Sequence, residues 1–289
     1  MEIRVLRYFL AVAREGSIST AAESLHITQP TLSRQIKDLE DDLGKKLIIR
    51  GSKKISLTDE GRLFRKRAQE IVDLVNKTRS EIESDYEGGD IYIGCGETEQ
   101  MRLIAKAVRD LQKDYPLMRF HLFSGNAIDI TERLDRGLLD FGVLVNPSSM
   151  IGYDFIRLPC FDKGGLLMCK DNPLAALDAI RPRDLEDVPI ITSRSEMSRH
   201  AISKWLGRDF DTLNIVGSFN LIFNAALMVE EGVGCAWCLD RLVKIPEDSV
   251  LCFRPFEPVV EMEVSVVWKK NQVFSNAAGE FLKRVKAVL

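Results

Sequence analysis

The sequence lacks an apolar stretch long enough to cross a membrane. No run approaches the roughly 20 apolar residues that a spanning helix needs, and Glu2 and Arg4 stand in an amphipathic N-terminal segment where a signal peptide would have an apolar core. No low-complexity tract or internal repeat stands out. We therefore expect a globular protein that resides in the cytoplasm, with no membrane partner.

Residues typical of metal and catalytic sites are few. The three histidines, His26, His121 and His200, are scattered, and no serine nucleophile motif or carboxylate pair accompanies them. The six cysteines are spread through mostly apolar surroundings, which favours reduced, buried thiols over a disulfide scaffold. We expect no catalytic residue, no metal and no cofactor.

Two short motifs resemble cofactor sites, but their surroundings favour other interpretations. Cys235 and Cys238 have the spacing of a zinc or redox pair, yet no second pair stands at zinc-finger spacing and the intervening Ala236-Trp237 is typical of a buried strand. Gly94-Cys95-Gly96 is similar to a dinucleotide-binding loop, yet Glu99 stands where the third glycine belongs. Neither motif therefore predicts a bound group.

Basic residues are concentrated near the N-terminus. Residues 1–80 contain 16 Lys and Arg against 11 Asp and Glu, whereas the remainder contains 24 against 32. A basic head on an acidic body is typical of a protein that binds a polyanion, although ordinary variation in surface charge would give the same pattern. With 289 residues, the chain has room for two or three domains.

Three short helices are predicted in the basic head. Apolar residues at helical spacing predict a first helix that ends near Gly16 and a second helix that Ser17 or Ser19 caps. His26-Ile27 then forms a turn, and Thr28 is placed to cap a third helix. This succession predicts a helix-turn-helix.

The third helix and the segment after it carry the candidate DNA contacts. Polar side chains on the outer face of the helix suit base edges and phosphates, although any exposed helix face carries such residues. Two extended stretches, Leu47 to Ile49 and Ile55 to Leu57, predict a hairpin whose cationic loop would lie on the DNA backbone. The candidate residues are Gln29, Thr31, Ser33, Arg34 and Lys37 on the helix, and Arg50, Lys53 and Lys54 on the hairpin.

The head resembles that of the LysR-type transcriptional regulators. The resemblance rests on the run from Ala21 to Glu40, AAESLHITQPTLSRQIKDLE, and on Leu57-Thr58-Asp59-Glu60-Gly61. It implies a winged helix-turn-helix over residues 1–58, in which Gln29, Pro30, Ser33 and Arg34 meet the major groove. It also implies that the hairpin is the wing, which lies along the flanking backbone.

A long helix is predicted after the head, over residues 59–87. Thr58 is placed to cap it, and an apolar stripe runs from Leu63 and Phe64 to Ile82. The stripe is too long for one small head to cover, so we expect this linker helix to pair with its twin in a dimer or tetramer. The alternative is that it packs onto its own chain.

Strand-like runs alternate with helical stretches from Ile91 onwards, which predicts parallel α/β sheets. The family resemblance implies a body, residues 88–289, that is similar to periplasmic binding proteins, with two lobes, two crossover strands and a ligand cleft. We expect lobe one to hold residues 90–161 and 266–289, and lobe two residues 162–265. The crossovers are expected near Cys160 and Val267.

Ligands of open α/β sheets bind beyond the carboxyl ends of the strands. That rule selects eight candidate effector residues, of which Thr98 and Ser193 match family positions best; a helix cap or a turn would explain Thr98 or Asn126 equally well. Two of the eight, Glu97 and Glu99, are acidic and stand at the expected mouth of the cleft, which argues against an anionic effector. The eight are Glu97, Thr98, Glu99, Asn126 and Asn146 from lobe one, and Thr192, Ser193 and Asn220 from lobe two.

Together these features predict a ligand-responsive transcriptional regulator in which an effector between the lobes modulates promoter binding and bending. The expected partners are double-stranded DNA, a small-molecule effector, further copies of the chain and RNA polymerase. Two alternatives stay open at this point. An enzyme that carries a DNA-binding head would need a reactive group in the cleft, and a solute-binding protein would normally carry an export signal.

Overall fold

A computed structural model describes residues 1–51, 54–83, 88–147, 149–194 and 196–289. The chain divides into two compact units, Met1–Glu83 and Ser84–Leu289. The predicted winged helix-turn-helix, long helix and two-lobed α/β body are all confirmed. Within the described ranges, no helix is long and apolar enough to cross a membrane.

The first unit begins with the three predicted helices and the hairpin. They are α1 (Ile3–Glu15), α2 (Ile18–Ser24), α3 (Gln29–Leu43), β1 (Ile48–Arg50) and β2 (Ile55–Leu57). Ser17 caps α2 by accepting a hydrogen bond from the Thr20 amide, and Thr28 caps α3 through the Thr31 amide. His26, in the turn between these helices, has a left-handed backbone with φ of 55°. Local capping chemistry therefore sets the helix limits that the sequence predicted.

The long helix, α4 (Asp59–Glu83), has two apolar faces with different surroundings. Ala68 and Val72 are buried against Leu6 of α1, and the Phe64 ring contacts that of Phe9 at 5.0 Å. These residues pack onto their own chain, so the head covers part of the predicted apolar stripe. A second face stays exposed and consists of Leu63, Ile71, Leu74 and Ile82. Residues 84–87 of the predicted linker lie outside the described residues.

The second unit contains nine strands and five α-helices within the described residues. The strands are β3 (Gly88–Cys95), β4 (Leu117–Ser124), β5 (Phe141–Val145), β6 (Tyr153–Cys169), β7 (Ile190–Ser193), β8 (Ile215–Phe219), β9 (Cys235–Leu239), β10 (Leu251–Pro255) and β11 (Glu261–Lys269). The helices are α5 (Met101–Asp114), α6 (Ala127–Asp135), α7 (Glu196–Leu206), α8 (Ile222–Glu230) and α9 (Asn276–Val288). Three 3₁₀ turns lie at Pro173–Ala176, Pro182–Leu185 and Phe210–Thr212.

The strands form a mixed sheet in the order β4-β3-β5-β11-β6-β9-β7-β8, with β10 also paired to β6. β3 is parallel to β4 and β5, and β7 is parallel to β8 and β9. β11 and β6 are antiparallel to their neighbours, which corrects the expectation of wholly parallel sheets. These two long strands join two parallel groups, and each group is the sheet of one lobe.

Each lobe has helices on both faces of its sheet. In lobe one, α5 and α9 cover one face through Ile104 and Phe281, and α6 covers the other through Ile130. In lobe two, α7 and α8 cover opposite faces through Ile202 and Val229. Buried apolar residues on both faces explain why the strand runs read as almost continuously hydrophobic.

The second crossover lies earlier in the chain than the sequence indicated. Met262 packs in the core of lobe two, whereas Val264 and Val266 pack in the core of lobe one. The chain therefore changes lobe near Glu263, and residues 264 and 265 belong to lobe one instead of lobe two. On β6, Asp162 and Lys163 still pair with β11, whereas Gly164 pairs with β9 of lobe two.

Candidate functional sites

The outer face of α3 presents the predicted polar side chains to solvent. Leu32 and Ile36 are fully buried on its inner face, so the opposite face is fixed outward by core packing. The Arg34 side chain is 82% exposed and lies 3.8 Å from Asp38, one turn away. Such an ion pair at the surface is weak, so the guanidinium is available for a stronger acceptor. Gln29, Pro30, Thr31 and Lys37 are also exposed, and Ser33 is half-buried.

The hairpin lies directly beside this face of α3. Arg50 at the end of β1 donates a hydrogen bond to the Ser33 hydroxyl at 3.3 Å, and β1 pairs with β2 in antiparallel register. Arg50 and Lys54 are exposed, while Lys53 lies outside the described residues. The structure thus places Arg50 beside the recognition-helix candidates. We call the outer face of α3, together with Arg50 and Lys54 of the hairpin, the head surface.

Glu40, which the sequence analysis did not single out, connects α3 to the hairpin. It is 4% exposed, and one carboxylate oxygen accepts hydrogen bonds from the backbone amides of Leu47 at 2.8 Å and Ile48 at 3.1 Å. Lys46 reaches the other oxygen at 2.9 Å. Burial alone would raise the pKa of Glu40, but these hydrogen bonds outweigh it and hold the pKa below the ordinary value.

The start of α4 packs tightly against the same hairpin. The Thr58 hydroxyl donates to the Lys46 carbonyl at 2.7 Å and accepts from the Gly61 amide at 2.9 Å. A Cβ atom at Gly61 would lie 2.0 Å from the Leu47 carbonyl oxygen. Only glycine therefore permits this approach, which explains its place in the motif that follows the hairpin.

The second unit contains a cavity of about 120 Å³ at the carboxyl ends of the parallel strands of both lobes. Residues that follow β3, β4 and β5 line it from lobe one, and residues at the ends of β7, β8 and β9 line it from lobe two. This is the cleft position that the strand rule predicts. We call it the interlobe cavity.

Five of the eight effector candidates line the interlobe cavity: Glu97, Asn126, Asn146, Ser193 and Asn220. The side-chain oxygen Oδ1 of Asn126 accepts from the Asp129 amide at 2.9 Å and so caps α6, which makes Asn126 both a cap and a lining residue. Asn146 has a left-handed backbone with φ of 44°, which asparagine tolerates better than most residues.

Three candidates do not line this cavity. The Thr98 hydroxyl donates to the Asp162 carboxylate on β6, since the chain turns away from the cavity after Glu97. Glu99 pairs with Arg102 and lines a different cavity. Thr192 is buried, and its hydroxyl has no hydrogen-bond partner among the described residues. These placements correct the expectation that all eight share one site.

Glu97 connects the two lobes across the interlobe cavity. Its Oε2 accepts a hydrogen bond from the Ile222 amide, at the N-terminus of α8, at 2.6 Å. No side chain of α8 itself caps that end, so the carboxylate of lobe one serves as the cap for a helix of lobe two. Burial raises the pKa of Glu97, and the Ile222 hydrogen bond opposes that rise in part.

Asp162 was not predicted from the sequence. It is 4% exposed and accepts hydrogen bonds from Thr98 and from Gln100, the latter at 3.2 Å. Burial raises its pKa, the two hydrogen bonds lower it, and the charges of Glu99 and Asp240 raise it further, so the net shift is upward. This buried carboxyl ties the start of α5 to the strand that joins the lobes.

The wall of the interlobe cavity is mainly apolar, which the sequence analysis did not foresee. It includes Phe219, Ile222, Trp237, Leu242 and Met262. Trp237 stacks on Phe256 with 4.0 Å between ring centroids, so the core of lobe two holds this part of the wall rigidly. The run Cys235 to Leu239 did indicate a buried strand, but no pattern in it indicates that its end lines the interlobe cavity.

Four of the six cysteines, Cys95, Cys235, Cys238 and Cys252, are buried as expected, whereas Cys169 is half-buried and Cys160 is exposed. Burial raises the pKa of Cys95 to about 12, and burial together with the nearby Cys169 and Cys252 raises that of Cys235 to about 11. Cys238 is also buried, and its pKa is raised mainly for the same reason. Among the residues that the structure describes, no group of three or more His, Cys, Asp or Glu could hold a metal ion.

Known proteins match both units. A family model described as LysR substrate binding domain matches residues 84–289, and one described as bacterial regulatory helix-turn-helix protein, lysR family, matches residues 3–62. The uncharacterised HTH-type transcriptional regulator YfeR of Shigella flexneri is 26% identical over 96% of this chain and 90% of its own. The Hca operon transcriptional activator HcaR of Escherichia coli (strain K12) is 28% identical over 94% and 93%.

A solved structure extends the likeness to the whole fold. Full-length CbnR, crystallised in complex with its target DNA, covers 100% of both chains with a TM-score of 0.75 and 22% identity. Because the relatives are regulators and the matching family models span both units, the alternatives of an enzyme and of a solute-binding protein are set aside. The chain belongs to the LysR family of transcriptional regulators, which bind DNA and respond to effector ligands.

Proposed function

We propose that the protein recognises a specific operator through the head surface and that a small molecule in the interlobe cavity controls this binding. The observation that carries the proposal is the outward face of α3, where Arg34 is exposed beside the basic hairpin. In this reading Gln29, Pro30, Thr31, Ser33, Arg34 and Lys37 enter the major groove. Arg50, Lys53 and Lys54 neutralise backbone phosphates.

We propose that the effector contacts Glu97, Asn126, Asn146, Ser193 and Asn220. A small cavity with an apolar wall and a few convergent polar groups is the usual form of such a site. Both lobes contribute to it, so a bound molecule would bias the angle between them. Through the linker helices, that change would alter promoter bending.

The exposed face of α4 supports self-association. Leu63, Ile71, Leu74 and Ile82 form an apolar surface on a helix whose other face is already covered. Exposed apolar area of this kind marks protein interfaces, and a dimer would present two copies of α3 to a two-fold operator. We propose a dimer or tetramer, located in the cytoplasm where its DNA is, with RNA polymerase as a further partner.

Each of the three expected domains is assigned one function. We propose that residues 1–58 read DNA, residues 59–87 form the dimerisation linker, and residues 88–289 bind the effector. The contact of Gly61 with Leu47 joins the first two.

Fluorescence anisotropy with a genomic fragment selected by the protein tests the head surface. Arg34→Ala should cost about 1 to 3 kcal/mol with the selected fragment and little with random duplex, if Arg34 contacts a guanine edge. Lys54→Ala should weaken binding to both duplexes. It should also reduce the slope of log K against log salt concentration by about 1. Equal loss on both duplexes for Arg34→Ala would contradict a base contact.

A matched control comes from the second unit. Arg208 is exposed and lies outside the head, so Arg208→Ala removes the same charge without touching the head surface. We expect its affinity for the selected fragment to equal that of the unaltered protein. A loss as large as that of Arg34→Ala would show that net charge, and not the head surface, governs binding.

A further inference from the structure

The charged lining of the interlobe cavity is negative only, among the residues that the structure describes. Among the described residues, Glu97 is the only charged side chain that lines it, and no lysine or arginine does so. Every other polar lining side chain is neutral, namely Asn126, Asn146, Ser193 and Asn220. A carboxylate entering this cavity would meet a half-buried negative charge and no compensating cation.

The backbone position best suited to an anion is already occupied. Helix N-termini bind anions through free amides and the helix dipole. At the N-terminus of α8, the Ile222 amide donates to Glu97 Oε2. An anionic ligand at this helix end would therefore have to displace a carboxylate that belongs to the protein itself.

The two arginines that line the adjoining cavity already pair with other carboxylates. Arg102 pairs with Glu99, and Arg241 lies 3.5 Å from Asp240. Glu99 and Asp240 both raise the pKa of the buried Asp162 through their negative charge. Glu97 has no such cationic partner among the described residues, and burial raises its pKa as well.

One oxygen of Glu97 is open to a ligand. Oε2 accepts from Ile222, whereas no described residue donates to Oε1. The side-chain carbonyl oxygens of Asn146 and Asn220 are further acceptors in the same lining. An alkylammonium group has three donors and no acceptor, so it suits a lining that offers acceptor oxygens.

We propose that the effector is a small primary amine with an apolar body, whose ammonium group is held by Glu97 and whose body contacts Trp237, Phe219 and Leu242. This inference rests on the proposed function of the cavity as the effector site. The small volume of the cavity, about 120 Å³, favours a body of the size of a single ring or a short branched chain. The charge-assisted hydrogen bond to Glu97 provides the specificity, and the apolar wall adds the burial.

Titration calorimetry on the full chain tests the ligand class with probes that share one body. We would use phenethylamine, phenylpropionate and phenylethanol, together with isobutylamine and cyclohexylmethylamine as amines with other bodies. We expect at least one amine to bind, and phenylpropionate to bind about 10-fold or more weakly than phenethylamine. Tighter binding of the carboxylate, or binding of none of the amines at millimolar concentration, refutes the proposal.

Glu97→Gln removes the negative charge of the side chain and keeps nearly the same shape. Glutamine keeps an oxygen that can accept from Ile222, so the variant should fold, and the loss of a charge-assisted bond should weaken amine binding by roughly 10- to 100-fold. Glu99→Gln is the matched control, because Glu99 lines a different cavity and pairs with Arg102. Equal affinity in both variants refutes the role of Glu97. If Glu97→Gln fails to fold, the comparison of the matched probes on the unaltered protein still decides.

The same samples separate failure of this inference from failure of the proposed function. Anisotropy with selected and random duplex is measured for each protein with and without probe. Selective DNA binding together with preference for the carboxylate overturns only the ligand class. Absence of any preference for the selected duplex overturns the regulatory function itself, whatever the calorimetry shows.

Discussion

Replacing Glu40 by alanine should loosen the hairpin and the start of α4 together. The substitution removes the acceptor of two buried backbone amides, those of Leu47 and Ile48. Each buried donor left without a partner costs about 1 to 3 kcal/mol. Water that enters the vacated space would recover part of this, so we expect a loss of about 2 to 4 kcal/mol in the local stability of the head.

Glu40→Gln should cost less, about 1 to 2 kcal/mol, because a single oxygen of Glu40 accepts both amides and the glutamine carbonyl can replace it. The lost contact is with Lys46, whose side chain is 67% exposed and can turn to solvent. Asp41→Ala is the control, since Asp41 is exposed at the next position of the same helix. Surface changes of that kind stay within about 0.5 kcal/mol.

Hydrogen exchange with mass spectrometry is the suitable assay, because all three tryptophans lie beyond residue 200 and fluorescence does not report the head. A loss of about 2 to 4 kcal/mol corresponds to about 30- to 1,000-fold faster exchange of peptides that contain Leu47 and Ile48. Equal exchange rates in Glu40→Ala and Asp41→Ala would refute this account of Glu40.

The pH dependence of the same peptides provides a second check. The folded pKa of Glu40 lies below its ordinary value of 4.5. Its contribution to stability is therefore present above the unfolded pKa and is lost as pH falls through the folded pKa. The difference between the unaltered protein and Glu40→Ala should narrow as the solution is acidified below the unfolded pKa.

Two further substitutions test close packing and a buried carboxyl. Gly61→Ala should destabilise the head by about 1 to 2 kcal/mol, because its Cβ would lie 2.0 Å from the Leu47 carbonyl oxygen. This overpacking exceeds the gain in helix propensity. Hydrogen exchange of the head measures the loss of stability. Thr98→Val should destabilise the second unit by about 1.5 to 3 kcal/mol at neutral pH, because ionised Asp162 loses a charge-assisted hydrogen bond. The folded pKa of Asp162 is already raised, so its ionised form disfavours folding as pH rises through that pKa, and the effect of Thr98→Val should shrink on acidification. Thermal unfolding followed by tryptophan fluorescence measures the second effect.

Two matched substitutions control these tests. A Cβ at Gly279 in α9 would meet nothing within 4 Å, so Gly279→Ala should stabilise its helix by about 0.5 to 1 kcal/mol, opposite in sign to Gly61→Ala. The Thr131 hydroxyl bonds only neutral backbone carbonyls, so the effect of Thr131→Val should not change with pH. Destabilisation by Gly279→Ala, or a pH-dependent effect of Thr131→Val, would contradict the reasoning.

Features set by local chemistry could be predicted from the sequence. Ser17 and Thr28 cap helices at the predicted positions because capping depends on residues three apart. The rule that ligands bind beyond the carboxyl ends of parallel strands likewise selected Glu97, Asn126 and Ser193. These residues line one cavity because parallel strands place their ends at the same edge of the sheet.

Features set by distant pairing could not be predicted. The antiparallel β6 and β11 pair residues about one hundred positions apart, and no local pattern encodes that register. The side on which Thr98 points depends on a turn of two residues after β3. The amides that donate to Glu40 lie in the hairpin and not in α3. Nothing within α3 itself therefore distinguishes this buried glutamate from an ordinary surface residue.

The central claim is that α3 and the hairpin together read a DNA sequence. Its most direct test is selection from fragmented genomic DNA of the source organism by the purified full chain at moderate salt, followed by sequencing of the retained fragments. We predict enrichment of a small set of fragments that share a two-fold repeat, and loss of that enrichment in Arg34→Ala. Recovery of fragments in proportion to their abundance, by both proteins, would contradict it.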